Sequence, residues 1–246
     1  WEERGDMFAD GETVELRSPK LRIEKLNFGP LGADIMTSVR IAQPIFGLGL
    51  LEAVPEQTLL DIARMQKALG FNGRPNYVWD FINQRTALGR FGWKANQPSL
   101  KQQIVSAAFG DMGLASKFSP EQNCPPVQEI CARHLPGNVP ELGTHEIDTL
   151  ELWLRGLAVP ARRDMRDAGV RKGQQLFVQA QCAICHVPEL RTGAAPAIRQ
   201  LSDQIFRAYT DMLVHDMGDG LADGRPDFEA GPRDWRTPAL WGLGLS

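Results

Sequence analysis

Cys182, Cys185 and His186 stand together in the run Cys-Ala-Ile-Cys-His. That spacing is the attachment signature of a c-type haem. Each residue has a chemical task. Two thiols add across the two vinyl groups of a haem and become thioethers. Residues i and i+3 of a helical turn share one face, so both sulfurs can reach one porphyrin edge. His186 follows directly and can turn its imidazole onto the iron as proximal ligand. Two other chemistries use the same spacing. A zinc site needs a second ligand pair, and none stands nearby. A redox dithiol of the thioredoxin kind wants a βαβ setting, whereas the flanks here read as helix. One covalent haem c is the expected cofactor.

Haem c is attached in an oxidising compartment, which bears on the other two cysteines. Cys124 and Cys131 lie in a Pro-rich stretch, SPEQNCPPVQEICARHLPG. A local disulfide between them is expected there. The alternative is a second metal site, for which His134 is the one neighbouring ligand. His134 and His145 are otherwise expected to be surface or structural residues. The chain starts at Trp1 with no visible signal peptide, and is read as a mature or truncated exported protein of the periplasm. No apolar run approaches the roughly 18 residues of a membrane span. A net charge of −3 argues against nucleic acid as a partner.

Several elements must position this chemistry. Val170, Gln174, Phe177 and Val178 recur at helical spacing, predicting a helix that runs into the first cysteine. Pro55 opens another helix that ends near Gly70. Ser99 can cap a helix through Leu100, Ile104 and Ala108 to about Gly110. Thr144 can cap a further one carrying Ile147, Leu150, Trp153 and Leu157. Gln200 to Met212 reads as one more helix. Alternating residues 11–17 and 21–23 suggest short extended pieces, and residues 44–54 a packed loop. Val159-Pro160 is the expected boundary between a unit of residues 1–159 and a haem unit of residues 160–246. After it comes a basic run of Arg162, Arg163, Arg166, Arg171 and Lys172. That run is either a solvated linker or a docking patch for an acidic redox partner.

Five separated stretches, in order, resemble the bacterial di-haem oxidoreductase family, also called thiol oxidoreductases. They are GLGLLEA (47–53), GRFGWKA (89–95), CAICHVPEL (182–190), YTDMLVHDMGDGLAD (209–223) and WRTPALWGLGL (235–245). The family is related to di-haem cytochrome c peroxidases and to methylamine-utilisation di-haem enzymes. Its members carry a further C-x-x-C-H near the N-terminus and continue past WGLGL. The chain is therefore expected to be the middle of a longer protein, with its N-terminal C-x-x-C-H and C-terminal helix absent. A second haem is expected in a full-length member. The family's Asp-rich turn before GRPN has no carboxylate here, so calcium is not expected.

The resemblance implies a mainly α fold: a cytochrome c-like haem domain following a loop-rich helical domain of the di-haem peroxidase type. It implies Trp93 as an electron relay, with Gln103 and Asp111 on the distal side of the N-terminal haem. Cleaving a peroxide O–O bond needs a group that moves a proton and a polar donor that orients the peroxide. Asp111 and Gln103 could serve, although Trp93 could equally be core, Gln103 solvated and Asp111 a loop cap. Arg236 could pair with a haem propionate or with one of the nearby Asp residues. Met217 is one candidate for the second axial ligand of the His186 haem, beside Met212, His215 or a ligand from outside. Pro188 is the expected carbonyl partner of the His186 ring. Two functions follow. One is a periplasmic c-type cytochrome oxidoreductase, peroxidase-like, fed by a small redox protein or another electron donor or acceptor. The other is a non-catalytic electron-transfer or structural haem subunit of a larger complex. No free reactive cysteine remains to support thiol chemistry.

Overall fold

The structure is a computed structural model and describes residues 1–133 and 140–243. His134 lies outside the described residues. The chain folds into six α-helices and four separate two-stranded antiparallel ribbons among the described residues. The expectation of a mainly α fold is overturned by this mixture. The helices are α1 (Leu48–Glu52), α2 (Glu56–Ala68), α3 (Leu100–Met112), α4 (Glu129–Ala132), α5 (Thr144–Gly156) and α6 (Ala168–Gln179). The ribbons pair β1 (Glu2–Met7) with β2 (Thr13–Ser18), and β3 (Tyr77–Asp80) with β4 (Arg85–Leu88). They also pair β5 (Leu190–Arg191) with β6 (Ile205–Phe206), and β7 (Val214–Asp216) with β8 (Asp234–Arg236).

Local chemistry explains the largest departure, at residues 200–212. Asp203, Tyr209 and Met212 all sit at positive φ, which no right-handed helix allows. Polar side chains there capture the backbone instead. The Thr210 hydroxyl accepts from Met212 N at 3.0 Å, and Asp211 Oδ1 accepts from Leu213 N at 2.9 Å. Such local bonds compete with the helical ladder and win where the chain must turn. The stretch 44–54, expected as a loop, instead contains the short helix α1, entered through Gly47 at φ 71°.

Other elements follow their sequence signals. Ser99 accepts a side-chain cap bond from Gln102 N and opens α3. Asp167 does the same for α6 through Val170 N. Pro55 precedes α2. Thr144, expected as the cap of α5, is instead its first helical residue; Gly143 takes the cap position and no side chain caps that end. Glu52 is the joint of three helices. Its carboxylate accepts from Leu100 N at the start of α3 and from Arg155 Nε on α5, at 2.8 and 2.6 Å. Gly49 lets α1 lie on α5, because a Cβ there would come within 2.3 Å of Arg155 O.

The main core takes Leu51, Leu59, Leu88, Phe91 and Leu100 from before residue 159, and Leu190, Phe206, Met212 and Leu213 from after it. Leu59, Leu100, Met212 and Leu213 are fully buried. Each such side chain contributes roughly 1.5–3 kcal/mol. A disulfide joins Cys124 to Cys131, with Cα atoms 5.7 Å apart.

Candidate functional site

The C-x-x-C-H turn begins where α6 ends. Gln181 takes a left-handed conformation, φ 63°, and Cys182–Ile184 form one 3-10 turn. His186 N then bonds to Cys182 O at 2.9 Å, closing the loop. Both thiols are free, Cys182 exposed and Cys185 half-buried. Burial pushes the Cys185 thiol up, with Asp211 and Cys182 adding to the effect.

The His186 ring is held from two sides. Its Nδ1 lies 2.9 Å from the Tyr209 carbonyl, leaving Nε2 for a metal. Phe177 of α6 packs edge-on against the same ring at 6.2 Å and against Tyr209 at 5.5 Å. The carbonyl thus comes from Tyr209 and not from Pro188. Its φ of 55° is what distinguishes Tyr209, and nothing in residue type announces that.

Behind the turn lies a buried polar cluster that sequence reading missed. Gln66 of α2 donates through Nε2 to Ile184 O at 2.8 Å and to Asp211 Oδ2 at 2.7 Å. Asp211 Oδ2 also lies 2.8 Å from His215 Nε2. The other nitrogen of that ring is 3.9 Å from Cys185 Sγ. Gln66, Asp211 and His215 are all buried. Gly73 leaves room for them, since a Cβ there would overlap Gln66 Oε1 and His215. The signal available in the sequence was the YTD-HD spacing, which sets Asp211 four residues before His215. Gln66 gave none. Met217, just past β7, is 50% exposed, whereas Met212 is fully buried.

The other expected residues come together elsewhere. Trp93, Gln103, Asp111 and Arg236 line one cavity of about 670 Å³. α3 supplies Gln103, Ser106, Ala107 and Asp111, which fall on one helical stripe. Its opposite face, Leu100, Ile104, Val105 and Ala108, is buried. Trp93 is half-buried and donates through Nε1 to Ile41 O at 2.6 Å. It meets Trp235 edge-on at 6.2 Å. Asp111 is exposed at the last turn of α3.

An unwound segment, residues 40–45, forms one wall of this cavity. Arg40 pins it by reaching Asp223 and Asp227, each at 2.7 Å. Lys94, fully buried, reaches the other oxygen of Asp223 at 2.8 Å and the carbonyls of Arg225 and Gly231. Burial works against the charged form of Asp223. Lys94, Arg40 and Ser38 outweigh it and hold the carboxyl well below the usual range.

Arg236, 5% exposed, donates to Gly92 O at 2.8 Å, Gln43 Oε1 at 2.9 Å and Thr237 O at 3.3 Å. It makes no ion pair among the described residues, so the Asp partnership open to it in the sequence is not formed. Burial pushes its guanidinium down to about 10, with the charge of Asp211 opposing that shift. The basic run lies apart from this cavity. Arg162 and Arg163 border a groove of about 1080 Å³ that also touches Phe177 and Tyr209.

A sequence profile described as "Di-haem oxidoreductase, putative peroxidase" matches residues 2–246. The chain belongs to the di-haem oxidoreductase family. No curated protein and no solved structure matches it. No helix among the described residues is long and apolar enough to cross a membrane.

Proposed function

We propose that the chain is a periplasmic c-type cytochrome oxidoreductase of the peroxidase kind, reducing hydrogen peroxide with electrons from a small redox protein. The observation that carries this reading is the turn of two free thiols followed by His186, whose Nδ1 is engaged by Tyr209 O. That donor set fits a haem c. Cys182 and Cys185 would hold its edge, and His186 Nε2 would take the iron. When bound, the haem supplies one-electron redox chemistry at iron.

The protein's own residues do the rest. Gln66 and Asp211 hold the attachment turn in place. The cavity beside α3 is the reading's second centre, where a full-length member would present its other haem. Gln103 orients a peroxide there through its amide. Asp111 takes the proton from the near oxygen and delivers it to the far one, so that water can leave. Trp93, in the wall of that cavity, carries electrons toward it.

The test is steady-state peroxide reduction by the haem-loaded protein with a reduced donor. Asp111→Ala is expected to lower kcat about 100-fold or more, the usual size of general acid–base assistance. Unchanged kcat in that variant would remove Asp111 from the reading. The single C-x-x-C-H of the sequence favours a second reading, an electron-transfer or structural haem subunit without catalysis. A six-coordinate, low-spin ferric spectrum together with no peroxide turnover would decide for that one.

A further inference from the structure

The basic run after Val159-Pro160 is exposed throughout: Arg162, Arg163, Arg166, Arg171 and Lys172. None of the five makes an ion pair among the described residues. Arg162 Nη2 donates to Gln174 Oε1 and Arg163 Nη2 to Leu243 O, each at 2.9 Å and each to an uncharged oxygen. The stretch holds two carboxylates, Asp164 and Asp167. Asp167 spends its own on the cap bond from Val170 N at 3.0 Å. Five cations against two carboxylates leave +3 here, in a chain whose net charge is −3. The fold gathers them. Asp164 sits at φ 49° and its carbonyl accepts from Asp167 N at 2.8 Å, so the chain turns sharply into α6. Arg162 reaches back onto Gln174, and Arg171 lies three residues before Gln174 on the same face of α6. These cations do not serve the helix. α6 has no acidic residue in its first turn and no basic one in its last. Arg171 and Lys172 stand near its start, where the helix dipole disfavours positive charge. Like charges held together also repel, which opposes folding.

Their place in the fold gives the patch a use. Arg162, Arg163 and Met165 form the lip of the groove that also touches Phe177 and Tyr209. Those two residues hold the His186 ring. Met165 is 57% exposed among the arginines. Arginine and methionine are enriched where proteins dock on one another. We infer that this basic lip is the docking surface for an acidic electron-transfer protein, which delivers its electron on the His186 side. The partner's reduced cofactor loses one electron and the iron held by His186 gains it, with no bond made or broken. The inference rests on the reading above and deepens it, by giving the redox partner a charge and a landing place. An anionic membrane surface would also be drawn to five cations, but it has no electron to give.

The experiment follows association of the full chain, carrying whatever covalent haem it has, with oxidised flavodoxin by surface plasmon resonance. Flavodoxin is the probe because it is small, acidic and redox-active; a basic cytochrome c is the opposite-charge control. Salt is set at about 10 mM and about 150 mM, where the Debye length is roughly 30 and 8 Å. The association rate with flavodoxin is expected to fall about tenfold or more across that range, as for steered encounters. The basic cytochrome c should not bind saturably. Arg162→Gln/Arg163→Gln/Arg166→Gln should lower the low-salt rate about tenfold and flatten its salt dependence. Arg166→Glu/Lys172→Glu disturbs neither of the two hydrogen bonds of the lip and should act in the same direction, so the test survives if the triple variant fails to fold. Lys67→Gln, which removes an exposed cation of α2, should leave the rate unchanged. No flavodoxin association at either salt, equal binding of the basic protein, or rates unmoved by both lip variants would overturn the inference. So would tighter binding to phosphatidylglycerol vesicles than to flavodoxin, lost in the same variants, which would assign the lip to a membrane. Association needs no haem and haem is scored separately by mass, so failure here and failure of the attachment reading are distinguishable.

Discussion

Asp211→Asn is the sharpest test of the buried cluster behind the attachment turn. Asp211 is fully buried and its carboxylate serves three groups: Gln66 Nε2, His215 Nε2 and Leu213 N. An asparagine has one oxygen for them. With that oxygen toward Gln66 and His215, its NH2 confronts Leu213 N, and that bond is lost. The two bonds that survive change from charge-assisted to neutral. A bond to a charged group contributes about 2 kcal/mol and a neutral one about 1 kcal/mol. One loss and two weakenings therefore sum to about 4 kcal/mol before relaxation, and about 3 kcal/mol once the side chains shift. For a chain of this size, 1 kcal/mol moves Tm by roughly 2–4 °C. The expected fall is about 6–12 °C by circular dichroism at neutral pH. Asp219→Asn is the control, because its carboxylate is 90% exposed, and it should change Tm by no more than about 1 °C. A D211N protein melting within about 2 °C of wild type would refute the cluster as a structural anchor.

Further expectations rest on other sites. The depressed carboxyl of Asp223 contributes stability that is complete above the ordinary Asp value, about 4. That contribution is lost as pH falls below it toward the folded value, so urea midpoints should drop steeply below about pH 4. Asp223→Asn should lower stability at pH 7 and flatten that acid limb; an unchanged limb would count against the Lys94–Asp223–Arg40 network. Gly49→Ala should cost about 3 kcal/mol by forcing α1 off the Arg155 backbone, read as a lower urea midpoint. Cys124→Ser opens a loop of sequence separation 7 and should cost about 2 kcal/mol, checked by the same denaturation.

The readable parts of the chain were those with short-range rules. Ser99, Pro55 and the apolar spacing of residues 100–108 announce α3 and the start of α2, because caps and periodicity act within a few residues. The helix was expected to end near Gly110, so the stripe that Gln103 shares with Asp111 emerged only from the structure, where α3 runs on to Met112. Residues 200–212 misled because their apolar pattern suits a helix, while Thr210 and Asp211 bond the backbone locally and turn it. The alternation of residues 11–17 announced β2 (Thr13–Ser18), whereas β5 to β8 were hidden by their shortness: strands of two or three residues carry too little alternation to be seen. Gln66 and Tyr209 were invisible for a different reason. They act on Ile184 and His186 across 118 and 23 residues of sequence, through a side-chain amide and a carbonyl. No local pattern encodes such a meeting.

The central claim is covalent haem on Cys182 and Cys185. It is tested most directly by intact mass together with the pyridine haemochrome of the protein from an exporting host. One haem per C-x-x-C-H is expected, with a mass raised by that haem and loss of the adduct in Cys182→Ala/Cys185→Ala. A chain that leaves the oxidising compartment with both thiols free, or with a haem that acid-acetone extracts, would contradict it.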